Sequence, residues 1–319
     1  MITPRYALTA IATSTEEHVF QPLEALLSSM NIVPVATREL PVPRSLSSCR
    51  RARIHHFGAA AGVEDRSVER AVKDIGVFQA QLRRFSEESG LDVFWQSIES
   101  RQRPYKLAIF DMDSTLIRCE VIDELASEAG VGKAVAAITE QAMRGEIDFQ
   151  ESFRRRLGML EGLPEEVLGR VVSRLPITEG LPELITTLRA RGVRTAIVSG
   201  GFSFFARYLQ ETYGFDRIKA NELEIVDGKV TGRVAGDIVD GEAKRAWLKF
   251  LATEFDLTTD QIIAVGDGAN DIPMLTEAGL GVAFQAKPIV RESVPFAINS
   301  SGLDSVLYLL GSASEHELD

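Results

Sequence analysis

The stretch KLAIFDMDST (106–115) decides how the chain is read. LAIF (107–110) is a short, unbroken apolar run with no polar alternation. Such a run suits a strand buried on both faces of a parallel sheet. Two carboxylates, Asp111 and Asp113, follow it directly. Like charges this close repel unless a cation or a shared proton relieves them. The pattern recurs downstream. RTAIVS ends at Ser199, QIIAVG leads into Asp267, and LGVAF (280–284) and PFAIN (295–299) follow, with helical stretches between. Strands alternating with helices predict an α/β fold with a doubly wound, Rossmann-like parallel sheet. The carboxyl ends of such strands open onto one crevice, so Asp111 and Asp267, 156 positions apart, can converge there.

Outward from this core the pattern changes twice. Residues 116–179 interrupt the alternation with helical stretches only, EVIDELASEAG, KAVAAITEQAMRGE, DFQESFRRRLGML and PEEVLGRVVSRL, and read as a small helical cap. NELEIVDGKVTGRV carries Asp227-Gly228 between two alternating runs, which predicts a hairpin with a type I′ turn. The segment 1–103 shows strand candidates at Tyr6–Ala12, Ile32–Thr37, around Ile54 and at LDVFWQSI. A helix candidate spans 15–30, and another begins at Ser67 with apolar residues at Val68, Val72, Ile75, Phe78, Leu82 and Phe85. The order β-α-β-β-α-β is the split βαβ pattern of an α+β ferredoxin-like sandwich. Polar ESRQRP (99–104) reads as a linker, giving one domain over 1–100 and a second over 104–319.

Bulk composition narrows the function classes. The chain has 319 residues, 45% of them hydrophobic and 25% charged, ordinary for a soluble globular protein of two domains. No apolar run is long enough to span a bilayer, and the N-terminus lacks the pattern of a secretory signal. Cys49 and Cys119 are far apart and suit free thiols in a reducing cytoplasm; the four histidines show no zinc spacing. A net charge of −11 argues against nucleic acid as a partner, yet allows a locally positive site for a small anion.

Four elements carry the chemistry, and each has a plain structural reading when taken alone. Asp111 and Asp113 could be loop acids; as a pair they suit a nucleophile and an acid/base around a hard, oxygen-loving cation such as Mg²⁺. Ser199-Gly200-Gly201 could be a simple strand-to-helix turn; it also lets backbone N–H groups approach an anion. Lys244 could be a solvated helix residue; a phosphoryl site needs such a cation. Gly266-Asp267-Gly268-Ala269-Asn270-Asp271 is costly as a mere loop but natural at a metal site.

DMDST (111–115), SGG (199–201), Lys244 and GDGAND (266–271), in this order, resemble the motifs of haloacid-dehalogenase-like phosphotransferases. Over about 106–311 the likeness narrows to the phosphoserine phosphatase family, through CEVIDELA (119–126), AMRGEIDFQESFRRR (142–156), SGGFSFFA (199–206) and ANELEIVDGKVTG (220–232). The resemblance implies a haloacid-dehalogenase-like fold and Mg²⁺-dependent hydrolysis of O-phosphoserine, the last step of serine biosynthesis. It implies Asp111 as nucleophile and Asp113 as acid/base. It implies metal contacts from Asp111, Asp267 and the backbone carbonyl of Asp113. Phosphate contacts would come from Ser199, Gly200 and Lys244, with Asn270 nearby, and Lys244 would share in catalysis. Glu120 and Arg156 would bind the amino and carboxylate groups of the substrate. Arg156 is preferred over Arg154 and Arg155 by the resemblance alone, and Phe149 and Met143 suit either cap core or substrate. The N-terminal segment resembles an ACT-type module, which implies an amino-acid ligand or a homodimer surface. Two rival readings stand beside this one: a sibling enzyme for another small phosphomonoester, and a ligand sensor with a relic phosphatase fold.

Overall fold

The structure, a computed structural model, describes residues 2–42, 49–60 and 74–311. The chain divides into two compact units: Met1–Pro104 with Glu179–Leu184 and Val282–Asp319, and Tyr105–Thr178 with Ile185–Gly281.

The first unit holds β1 (Ile2–Ala12), α1 (Gln21–Ser29), β2 (Ala36–Leu40), β3 (Arg51–Ala60), α2 (Ile75–Ser89) and β4 (Asp92–Ser97). The strands form an antiparallel sheet in the order β2-β3-β1-β4. Its core joins Leu8, Phe57 and Trp95 of the sheet with Phe20, Leu23 and Leu27 around α1 and Phe78 and Leu82 of α2. Helix α1 starts at Gln21 rather than near Thr15, with Pro22 in its first turn, where the missing N–H is not needed. The second strand begins at Ala36, beyond Pro34, instead of at Ile32. The stretch from Ser67 to Lys73 of the expected second helix lies outside the described residues.

The polar stretch 99–104 is not a free linker. It opens as a short helix, α3 (Ile98–Arg101), capped by Ser97, whose Oγ accepts from Ser100 N at 3.1 Å. Arg101 is buried and donates to the Tyr308 carbonyl at 2.6 Å. Asp92, fully buried, accepts from the N–H groups of Asn299, Ser300 and Ser301 and from the Ser301 hydroxyl. The C-terminal segment thus belongs with residues 1–104, a grouping that local sequence patterns do not reveal.

The second unit is built on β5 (Leu107–Phe110), β6 (Arg194–Phe202), β7 (Arg217–Val226), β8 (Lys229–Ala235) and β9 (Ile262–Gly266). β5 lies between β6 and β9 and is parallel to both; β7 is parallel to β6, and β8 returns antiparallel. Every residue of LAIF is buried. The hairpin turns at Asp227 (φ 51°) and Gly228 (φ 71°), as the two positive φ angles of a type I′ turn require. The cap is helical, with α4 (Val121–Glu128), α5 (Gly132–Met143), α6 (Phe149–Gly158) and α7 (Glu166–Val172). α8 (Leu181–Ala190) precedes β6, α9 (Ser203–Tyr213) follows it, α10 (Gly241–Glu254) precedes β9, and α11 (Ile272–Glu277) follows it. LGVAF and PFAI yield β10 (Leu280–Phe284) and β11 (Phe296–Ile298), whose parallel pairing, Val282–Phe284 with Phe296–Ile298, lies in the first unit, with α12 (Pro288–Ser293) between them. Among the described residues, no helix is long and apolar enough to cross a membrane.

Candidate active site

Strand register assembles the site. Phe110 is level with Val265 on one side and Ile197 on the other. The next residues, Asp111, Gly266-Asp267 and Val198-Ser199, therefore emerge at one edge. Asp111 N donates to Val265 O at 2.9 Å, carrying the pairing one residue past β5. The chain then turns at Ser114, whose φ of 56° is left-handed. This conformation costs an L-residue roughly 1–2 kcal/mol. The turn lets Ser114 Oγ donate to Glu120 Oε1 at 3.0 Å.

Lys244 is the hub. Its side chain is fully buried, and Nζ lies 2.9 Å from Asp111 Oδ1 and 2.6 Å from Asp271 Oδ1. Burial works against its charge, but Asp111 and Asp271 outweigh that and raise its pKa. Met112 N also donates to Asp111 Oδ1, at 2.7 Å. Asp271 accepts from the N–H groups of Asp267 and Gly268 at 3.1 and 2.9 Å, which folds the GDGAND loop around its own carboxylate. Gly266 is required here, since a Cβ on it would lie 2.5 Å from Asp271 Cγ. Thr115 Oγ1 donates to Asp267 Oδ1 at 3.1 Å.

Asp113 has a different environment. Its carboxyl is buried, and Oδ1 has no hydrogen-bond partner among the described residues. Burial, then the charges of Glu120 and Asp111, pushes its pKa well above the ordinary carboxylate range. Gly201 makes room for it: a Cβ there would stand 2.9 Å from Asp113 Oδ2 and 2.6 Å from Met112 Cε. Ser199 Oγ accepts from Gly201 N at 2.9 Å. Asn221 braces the same turn, donating to Gly200 O at 2.7 Å and accepting from Val239 N at 2.9 Å. The Asn270 amide and the Phe149 ring flank Gly200, at 3.8 and 3.3 Å from the place its Cβ would take.

The donor set fits a hard divalent cation. One oxygen from each of Asp111, Asp267 and Asp271 lies within 4.8 Å of the others. Of these three carboxyls, Asp111 and Asp271 pair with the Lys244 ammonium. Burial and the neighbouring carboxylates push Asp267 up to about 8 without a cation, the response expected of a crowded anionic site. All the ligand atoms are oxygen, as Mg²⁺ and similar ions prefer. The side-chain oxygens of Asp113 lie outside this trio, so its expected contribution rests on its backbone carbonyl.

The cap residues also sort themselves. Arg154 and Arg155 are exposed and bond back along α6, to Gln150 Oε1 at 2.9 Å and Glu151 Oε1 at 2.6 Å. Arg156 is half-buried, its Nε is buried without a hydrogen-bond partner among the described residues, and its charge reaches Glu120 and Asp123. Glu120 stands at the N-cap of α4 without capping it through its side chain. It keeps an exposed edge, while the protein crowded around it and then the Asp111 charge raise its pKa. Phe149 stacks on Phe153, which meets Phe202 of β6. The side chain of Met143 lies outside the described residues.

Sequence reasoning weighed Asp271 only as support, and passed over Thr115 and Asn221. Asp271 had a signal: a second acid four residues after Asp267, in a loop too tight to keep both in solvent. Asn221 had only its polarity in an otherwise strand-like run.

Comparison with known proteins agrees with this geometry. Residues 108–276 match the model of the haloacid dehalogenase-like hydrolase family. A phosphoserine phosphatase of Archaeoglobus fulgidus is 45% identical over 245 residues, covering 76% of this chain and 71% of that protein. The crystal structure of a hydrolase of the same superfamily from Salmonella enterica serovar Typhi superposes with a TM-score of 0.81 at 33% identity, over 97% of this chain and 99% of that one. A phosphoserine phosphatase solved as a phospho-aspartyl intermediate analogue superposes with a TM-score of 0.62 at 41% identity, over 66% of this chain and all of that one. The buried acid–lysine constellation and these likenesses lead to one conclusion: the chain belongs to the haloacid dehalogenase-like hydrolases, within their phosphoserine phosphatase family.

Proposed function

We propose that this chain hydrolyses O-phosphoserine to serine and phosphate through a phosphoryl group carried on Asp111. One observation carries the reading: a carboxylate gripped by a buried lysine stands two residues from a buried carboxyl, one oxygen of which has no hydrogen-bond partner among the described residues and whose pKa burial pushes up. The first supplies a nucleophile, the second an acid.

An oxygen of Asp111 attacks phosphorus as the bond to the serine oxygen breaks, and Asp113 passes its proton to that oxygen. Asp113, now a carboxylate, takes a proton from water as the water oxygen attacks phosphorus. The Asp111–phosphorus bond breaks, phosphate leaves and both acids return to their first state. Lys244, the Ser199 hydroxyl and the Gly200 N–H offset charge on the phosphoryl oxygens, with Asn270 beside them. Mg²⁺, held by Asp111, Asp267 and the Asp113 carbonyl, would supply further charge neutralisation. Glu120 pairs with the substrate ammonium. Arg156 pairs with its carboxylate, where a planar fork can bind both oxygens.

We assign residues 1–100 to a ferredoxin-like, ACT-like module, because the order β2-β3-β1-β4 and two packed helices are what that split βαβ topology requires. It suits an amino-acid ligand or a homodimer contact, and the enzyme would work in the cytoplasm on a small soluble substrate. Phosphate release from O-phosphoserine, measured beside a panel of phosphomonoesters with and without Mg²⁺, tests the function. Metal-dependent preference for O-phosphoserine is expected; equal or better use of another ester would move the assignment to a sibling enzyme.

A further inference from the structure

Helix α6 brings Phe149 and Arg156 to the site, and α10 brings Lys244. A hydrogen bond joins them: Gln150 Nε2 donates to Asp240 Oδ2 at 2.7 Å. Asp240 is also the N-cap of α10, its Oδ1 accepting from Ala243 N at 3.0 Å. One carboxylate therefore starts the lysine helix with one oxygen and holds the cap helix with the other. The orientation of the Gln150 amide is fixed from both sides. Arg154 can only donate, and it reaches Gln150 Oε1 at 2.9 Å; the Asp240 carboxylate can only accept. The Ala243 N–H, and then Gln150, hold the Asp240 carboxyl below its usual range, so it is ionised at neutral pH. Beside this bond runs an open cleft of ≈ 580 Å³, lined by Gln150, Phe153, Arg154, Arg233, Val234 and Asp240.

We propose that Gln150 and Asp240 form a latch that holds the substrate-reading cap helix in register with the lysine helix, making Gln150 a positioning residue. The consequence of the latch rests on the phosphoserine reading, and its existence on the hydrogen bond alone. Two readouts keep these apart.

The test is a double-mutant cycle of Gln150→Glu, Asp240→Asn and the pair. Gln150→Glu would set a carboxylate against Asp240 and open the latch. In the pair, the introduced asparagine can cap α10 with its carbonyl oxygen and donate its amide to the introduced glutamate, rebuilding the bond with donor and acceptor exchanged. Hydrogen exchange of residues 149–158, without substrate, should speed up at least about tenfold in Gln150→Glu, the change expected when one hydrogen bond to a charged group is lost. It should return toward the parent rate in the pair. The KM for O-phosphoserine should rise by about tenfold in Gln150→Glu and recover in the pair, while p-nitrophenyl phosphate, which offers Arg156 no carboxylate, changes less. Unchanged exchange in Gln150→Glu, or no rescue in the pair, overturns the latch. Altered and rescued exchange with equal KM changes for both substrates overturns the positioning role. A parent enzyme that ignores O-phosphoserine would sink the substrate assignment, while the exchange data would still decide the latch.

Discussion

Asp92 at the head of β4 and Asp113 after β5 are both buried aspartates, in different units of the molecule, and they are treated oppositely. Asp92 receives three backbone N–H groups and a hydroxyl. Asp113 keeps an oxygen with no partner and faces two further acids. A buried carboxylate fully supplied with donors is structure, since each donor depends on it. One left short, beside the proposed nucleophile and a buried lysine, is a candidate for chemistry. Asp304 marks the limit of this rule. It too is buried, with neither side-chain oxygen partnered among the described residues, yet Gly180 packs against it and the side-chain charges that act on it are those of Glu183 and Glu179. An unsatisfied acid signals catalysis only in company.

The largest effects should fall on the catalytic side. Asp111→Asn should reduce steady-state turnover to background, since an amide is a poor nucleophile. Asp113→Asn should lose about 10²–10⁴-fold in kcat, the usual scale of general acid catalysis, with a melting temperature no lower than that of the parent. A large loss of stability in Asp113→Asn would erase its contrast with Asp92.

The opposite result is expected at Asp92. Asp92→Ala leaves three buried N–H groups short of an acceptor and should cost at least about 3 kcal/mol of stability, at about 1–3 kcal/mol for each. Activity per folded molecule should persist at low temperature. Denaturant melts beside kinetics check this. A chain cut at Arg103 would lose the same acceptor, so its C-terminal segment should become labile.

Arg156→Ala should raise the KM for O-phosphoserine by about 1.5–3 kcal/mol, roughly 10- to 150-fold, with little change for p-nitrophenyl phosphate. Equal losses on both substrates would make Arg156 a structural or phosphate-site residue.

Asp304→Asn should have the smallest effect. Burial lifts the Asp304 pKa from 3.8 to about 6. The folded state thus holds its proton more tightly than the unfolded state. Ionisation therefore removes stability as pH rises from about 4 through about 6. Asparagine escapes that loss, so the variant should gain stability at pH 7, by no more than about 3 kcal/mol, and gain nothing at pH 4. A gain independent of pH would show that packing, not charge, is at work.

What the sequence reveals and what it hides divide on physical lines. LAIF before Asp111 was legible because burial on both faces forbids alternation, and Asp227-Gly228 because few residues accept two positive φ angles. The carboxyl-end rule then brought Asp111, Ser199 and Asp267 to one crevice. Pairings set by three-dimensional register were not legible. Nothing local says that Lys244 grips Asp271, that Asn221 braces Gly200, or that Gln150 reaches Asp240. Residues 99–104 read as a linker because Arg101 looks like a solvent residue until Tyr308 is placed beside it. The arginine triplet needed the structure as well: the bonds of Arg154 and Arg155 back along α6 leave Arg156 as the half-buried one.

The central claim is that Asp111 becomes phosphorylated while Asp113 does not. Enzyme quenched during turnover of O-phosphoserine and reduced with borohydride should carry homoserine at position 111, because an acyl phosphate is reduced and a free carboxylate is not. Peptide mass spectrometry reads the site directly. Homoserine at 111, lost when substrate is omitted, is the expected result. Phosphate release with residue 111 unmodified, or with the reduced residue elsewhere, would contradict the account.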